Sequence, residues 1–103
     1  MFYTYMIRCV DNSLYAGITN NIEKRLSAHQ NKKGAKYTKS HEAIKIECAW
    51  KSKDKSTASK LEYQIKQLNK NQKERLVDGE KLSTFLSGIV DCRRYRKIEF
   101  NTL

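Results

Sequence analysis

Phe2-Tyr3-Thr4-Tyr5-Met6-Ile7-Arg8-Cys9-Val10-Asp11-Asn12-Ser13-Leu14-Tyr15-Ala16-Gly17-Ile18-Thr19 is the stretch that decides the fold. Phe2–Cys9 is rich in aromatic and apolar residues and reads as a strand, and Leu14–Thr19 reads as its partner. Asp11-Asn12-Ser13 between them has turn chemistry, so the pair predicts an antiparallel hairpin. With those three residues as the loop, Cys9 stands opposite Tyr15 and Ile7 opposite Gly17. Tyr5, Ile7, Cys9, Tyr15 and Gly17 then share one face, whereas a loop one residue longer puts Tyr5 and Tyr15 on opposite faces. In this register the two tyrosines are separated by roughly 13 Å along the strands.

A helix is predicted next, with Asn20 as N-cap and Glu23 completing a capping box. Ile22, Arg25, Leu26 and His29 fall on one stripe of it. Gln30–Ser40 reads as a polar, lysine-rich loop, and Ile44–Trp50 alternates apolar and polar residues as a third strand should. A turn over Lys51–Lys55 leads into a second helix from about Ser56 to Leu68, with Ala58, Leu61, Ile65 and Leu68 as its buried stripe and Glu62 on the border. Further helical pieces are predicted over Asn71–Val77, broken by Asp78-Gly79, and over Lys81–Leu86, ended near Gly88. The tail is Arg-rich and then extended through Ile98–Phe100. The expected fold is α+β, a small three-stranded antiparallel sheet flanked by helices. Residues 1–78 form the main domain, and 79–103 a helical, basic extension packed on it.

Length and charge bound the function. A chain of 103 residues suits one domain with a small core. Lys and Arg total 21 against 11 acidic residues, a formal charge of +10. At this size such an excess points to an anionic partner, and nucleic acid is the commonest; a solvated lysine-rich surface is the bland alternative. Cys9, Cys48 and Cys92 are scattered, with no CxxC pair, which implies neither a zinc site nor a disulfide framework and fits a reducing cytoplasm. Nothing in the sequence approaches the ~18 apolar residues of a membrane helix, and no obligate protein partner is evident.

Hydrolysing a phosphodiester requires an activated water, charge neutralisation at phosphorus and help for the leaving oxygen. Tyr5 and Tyr15 are candidates to orient or deprotonate water; strand tyrosines are otherwise core residues with a satisfied hydroxyl. Arg25 on an apolar stripe must pair or snorkel, and His29 shares its stripe. Glu62 either reaches the sheet or pairs with Lys66 one turn on. Lys32, Lys33, Lys36, Tyr37 and Lys39 form a basic loop with one aromatic, a means of holding a phosphate backbone and stacking a base.

In their order and spacing these residues resemble the GIY-YIG nuclease superfamily. Tyr3-Thr4-Tyr5 stands where that family has Gly-Ile-Tyr, and Tyr15-Ala16-Gly17 where it has Tyr-Ile-Gly. The resemblance spans roughly residues 2–77 and is closest to the small stand-alone bacterial branch, through Arg25-Leu26, His29, Lys33-Gly34-Ala35-Lys36-Tyr37-Thr38 and a helix resembling Ala58–Lys66. It implies a metal-dependent endonuclease of low sequence specificity acting on DNA (duplex, branched or single-stranded), in repair or processing. Tyr5 and Tyr15 would act at the water and metal shell, Arg25 would clamp the scissile phosphate, His29 would assist, and Glu62 would bind Mg²⁺ or Mn²⁺. Asn69 and Asn71 are the candidates for the family's distal asparagine. Tyr3 for Gly and Ala16 for Ile are departures from the motifs; the altered first motif and the small size support an alternative, a non-catalytic nucleic-acid-binding module on the same fold. A third reading has the basic surface dock an acidic protein.

Overall fold

The computed structural model describes residues 1–25 and 43–98. Its centre is an antiparallel sheet of strands β1 (Phe2–Cys9), β2 (Leu14–Thr19), β3 (Ala43–Ser52) and β4 (Arg96–Ile98), in the order β2-β1-β3-β4. The helices are α1 (Lys55–Gln67), α2 (Lys70–Val77) and α3 (Leu82–Leu86), followed by a 3-10 turn at Cys92–Arg94. The sheet therefore has four strands rather than the expected three. The tail supplies the fourth: Ala49 pairs with Ile98 and Lys51 with Arg96, which covers the outer edge of β3 at its C-terminal end.

The hairpin register differs from the expected one by a short step with large consequences. Asn12 N–H donates to the Cys9 carbonyl at 2.8 Å, and Cys9 N–H to the Ser13 carbonyl at 3.0 Å. The loop is thus Val10-Asp11-Asn12, with Asn12 in the left-handed region at φ 69°, a residue type that tolerates it. Asp11 secures the turn by accepting from the Ser13 N–H and hydroxyl. Tyr5 now faces Gly17 directly, and Ile7 faces Tyr15. The two tyrosines remain on one face but are half as far apart, roughly 7 Å along the strand, within reach of long side chains on a diagonal.

β3 does not alternate simply. Met6 pairs with Cys48 but Ile7 with Ile46, so Glu47 is the extra residue of a bulge. The bulge moves Ile46 to the face opposite Cys48 and Trp50. Ile46 joins Tyr5 and Ala49, with Ile7, Ile22 and Ile98 packed around them. Met6, Cys48 and Trp50 form the other face, covered by Leu61 and Ile65 of α1, Leu76 of α2, and Leu82 and Leu86 of α3. Burying each such Leu or Ile contributes about 1.5–3 kcal/mol. Ala16 also packs on this helix-covered side, opposite Met6. The departure from the second family motif thus falls on a packing face.

Local chemistry explains the helix ends. Asp54 caps α1 by accepting from Thr57 N–H at 2.8 Å, so the helix begins at Lys55, one residue before the expected start. Asn69 and Gln72 form a reciprocal capping box on α2. Gly79, at φ +110°, ends α2 with its N–H on the Leu76 carbonyl.

Candidate active site

Tyr5 lies at the middle of β1, only 6% exposed. A Cβ built on Gly17 would sit 2.6 Å from the Tyr5 hydroxyl and 2.7 Å from Cζ. The phenol therefore lies across Gly17, and the last residue of the Tyr15-Ala16-Gly17 motif is the seat for the last residue of Tyr3-Thr4-Tyr5. Only glycine leaves that space. Tyr15, two residues before Gly17, is 45% exposed.

The turn after β2 brings in Arg25. Asn21, not Asn20, caps it: its side chain accepts from Lys24 N–H at 3.0 Å. Thr19 Oγ1 accepts from Asn21 N–H at 3.1 Å, a side-chain turn that carries the chain one residue further before the helix starts. Ile22 is the half-buried residue of this turn and packs beside Tyr5. Arg25 is exposed rather than buried, and its guanidinium carbon stands 5.8 Å from the Tyr5 ring centroid, a cation–π arrangement. This resolves the arginine on an apolar stripe: its head emerges over an aromatic instead of entering the core.

Glu62 comes from α1, half-buried, with Lys66 Nζ at 3.5 Å from its carboxylate. The helical ion pair and the approach to the sheet thus coexist. Thr4, beside Tyr5 and fully buried, donates its hydroxyl to the Ala58 carbonyl at 2.9 Å. That bond ties the helical turn before Glu62 to the strand carrying Tyr5. Burial pushes the Tyr5 phenol above its ordinary range; the Arg25 charge opposes the rise and the Glu62 carboxylate adds to it. Tyr5 thus feels a cation from one side chain and an anion from another.

Among the described residues no three of His, Cys, Asp and Glu cluster closely enough to cage a metal ion. A lone carboxylate suits Mg²⁺, which keeps its waters and binds through one or two carboxylates plus substrate phosphate. Asn69 is committed to capping α2, and Asn71 is exposed on that helix. His29, Lys32, Lys33, Lys36, Tyr37 and Lys39 lie outside the described residues.

Arg8 is a structural residue that its place in the sequence does not announce. It grips Glu47 at 2.9 Å and makes a two-pronged contact with Glu74 of α2, one prong at 2.7 Å. Lys70 adds a contact to Glu74 at 3.0 Å. Hydrogen bonds from the Arg8 guanidinium hold the Glu74 carboxyl down at about 2. This network clamps the hairpin to α2; the signal for it was an arginine between apolar strand residues, with a bulge that only the tertiary structure reveals. Cys9, Cys48 and Cys92 are free thiols, and burial pushes Cys48 up to about 12, so it is inert.

A short antiparallel sheet that pairs two tyrosine motifs, with an arginine over the buried tyrosine, defines a class. The chain belongs to the GIY-YIG family: residues 1–75 match the model of the GIY-YIG catalytic domain. Within it, the chain is similar to the UPF0213 proteins, small stand-alone bacterial members. One from Fusobacterium nucleatum is 39% identical over 95 residues, covering 92% of this chain and 93% of the relative. One from Bacillus licheniformis is 44% identical over 79 residues, covering 77% and 81%. The solution structure of a UPF0213 protein from Bacillus halodurans is 33% identical, with a TM-score of 0.49 over 84% of this chain and 97% of that one. Among the described residues no helix is long and apolar enough to cross a membrane.

Proposed function

We propose that the chain is a metal-dependent endonuclease of low sequence specificity that hydrolyses DNA phosphodiester bonds during repair or processing. The Arg25 guanidinium over Tyr5, whose ring sits on the Gly17 seat, carries this reading, and the Glu62 charge is felt at the same phenol. Arg25 binds the non-bridging phosphate oxygens. Tyr5, a phenol protonated at neutral pH with its pKa raised further by burial, donates its hydroxyl hydrogen bond to the phosphate or to the attacking water and fixes its direction. Tyr15, exposed on the same face, completes the water-orienting pair. Glu62 would hold Mg²⁺ or Mn²⁺, which when bound supplies charge neutralisation and a more acidic water. His29 assists proton transfer, and Lys32, Lys33, Lys36, Tyr37 and Lys39 track the backbone. Contacts of this kind are mainly to phosphate, which positions DNA without reading its sequence.

The rival, a nucleic-acid-binding module without catalysis, is favoured by the Lys66 contact on Glu62. The test is cleavage of labelled duplex, nicked, branched and single-stranded DNA with Mg²⁺ or Mn²⁺, beside Glu62→Ala and Tyr5→Phe. Metal-dependent products lost in Glu62→Ala, with binding retained, support the nuclease. Full activity in Glu62→Ala removes the metal role, and EDTA-resistant binding without any cleavage establishes the module.

A further inference from the structure

The surface holds a second concave feature, separate from the tyrosine corner. A groove of about 710 Å³ runs between the outer face of α1 and the chain that follows α3, its lining including Lys60, Tyr63, Ile89, Asp91, Arg94 and Tyr95. Tyr63 and Ile89 are 62% and 56% exposed, among the most exposed large apolar side chains. Both side chains line the groove, and Tyr63 stands on the face of α1 away from its buried stripe of Ala58, Leu61 and Ile65. The groove is built rather than incidental: the Tyr95 hydroxyl donates to the Thr57 carbonyl at 2.7 Å, which fixes its wall to α1.

Its lining carries two cations, Lys60 and Arg94, and one acid, Asp91. Arg93 and Arg96 follow on the same segment, beside the groove rather than in its wall. Asp91 is already engaged by Arg93 at 3.1 Å and by Arg94 at 3.5 Å, and these contacts hold its carboxyl below the usual range. Arg93 is nevertheless 91% exposed at its side chain, and Arg94 and Lys60 are exposed as well. An aromatic ring flanked by cations beside an open groove suits a nucleic-acid strand, with a base on the ring and phosphates on the cations. A duplex keeps its bases stacked and cannot offer one to such a ring, whereas an unpaired strand can. Tyr63 also follows Glu62 directly, so the groove begins where the border of the candidate active site ends, about 100° around the helix.

We propose that this groove is a second nucleic-acid contact, holding an unpaired strand that flanks the scissile bond, with one base stacked on Tyr63 and phosphates on Lys60 and Arg94. The proposal rests on the nuclease reading for the strand's identity, but its binding step is separable from cleavage. The test uses the full chain and a fluorescein-labelled single-stranded DNA in EDTA, read by anisotropy, with the same sequence annealed as duplex for comparison. Tyr63→Ala should weaken single-strand binding roughly tenfold, and Tyr63→Phe should restore it. Lys60→Ala with Arg94→Ala should flatten the dependence of log affinity on log salt by about 1.4, the share of two phosphate contacts on a single strand. In Mg²⁺, both changes should raise KM for cleavage and leave kcat unchanged. Variants that bind and cleave like the wild type overturn the proposal. So does a loss of dimer mass by light scattering in Tyr63→Ala, which would make the groove an interface between copies. If the groove variants lose binding while the wild type cleaves nothing, the groove stands and the nuclease reading falls.

Discussion

Gly17→Ala offers the sharpest test of the site, because it alters no side chain that could do chemistry. The new Cβ would lie 2.6 Å from the Tyr5 hydroxyl and 2.7 Å from Cζ. Ordinary contact begins near 3.4 Å, so the phenol must shift by close to an ångström. It has little room, since Ile46 and Ala49 are buried against Tyr5 and Ile7, Ile22 and Ile98 pack around them. Overpacking of this kind costs about 1–3 kcal/mol. Against it stands the reduced freedom of the unfolded chain, worth about 0.4–1 kcal/mol, because the backbone of Gly17 is not in the left-handed region. The net loss of stability should be about 1–2 kcal/mol, whereas a displacement of this size at a reacting group costs roughly 100-fold in rate. Denaturant unfolding and single-turnover cleavage measure the two effects. The companion measurement is Gly17→Ala in a Tyr5→Ala background. With the ring gone, the substitution should become stabilising, a reversal of sign that needs no activity to observe. A stability cost that persists without Tyr5, or a Gly17→Ala rate within twofold of wild type, would refute the seat.

Other outcomes follow from the same contacts. Thr4→Val removes the bond to the Ala58 carbonyl and should cost about 1 kcal/mol in denaturant unfolding, with a fall in cleavage as the turn before Glu62 loosens; unchanged stability would show that the bond contributes nothing. Arg25→Lys keeps the charge but loses the planar guanidinium over Tyr5, and should reduce cleavage roughly tenfold with stability unaltered; equal rates would mean that charge alone suffices. Glu74 titrates at about 2 when folded, against an ordinary 4.5. Its folded-state value is lowered, so its stabilisation is complete above 4.5 and is lost as pH falls toward 2. Glu74→Gln should therefore cost about 2 kcal/mol at pH 7 and almost nothing at pH 2, read from urea midpoints; a cost independent of pH would contradict the clamp.

Much of this protein was legible because its signals are local. Phe2–Cys9 and Leu14–Thr19 show strand composition without tertiary help, and both strands have the predicted bounds. The stripe of Ala58, Leu61 and Ile65 specified which face of α1 is buried. The order of Tyr5, Tyr15, Arg25 and Glu62 carried the family membership, since spacing along a chain survives without coordinates. Four things needed the folded structure. The hairpin register depended on whether Asn12 or Ser13 closed the loop, a matter of one left-handed residue. The bulge at Glu47 put Ile46 beside Tyr5, against a pattern that placed it with Cys48. The fourth strand formed from a tail whose pairing with β3 spans about half the chain, and loop-closure terms of that kind leave no periodicity to read. The roles of Gly17 and Arg25 were likewise set by Tyr5. A glycine without a side chain and an arginine on an apolar stripe acquire meaning only when a particular ring lies against them, because close contact is a property of the packed chain and not of its order.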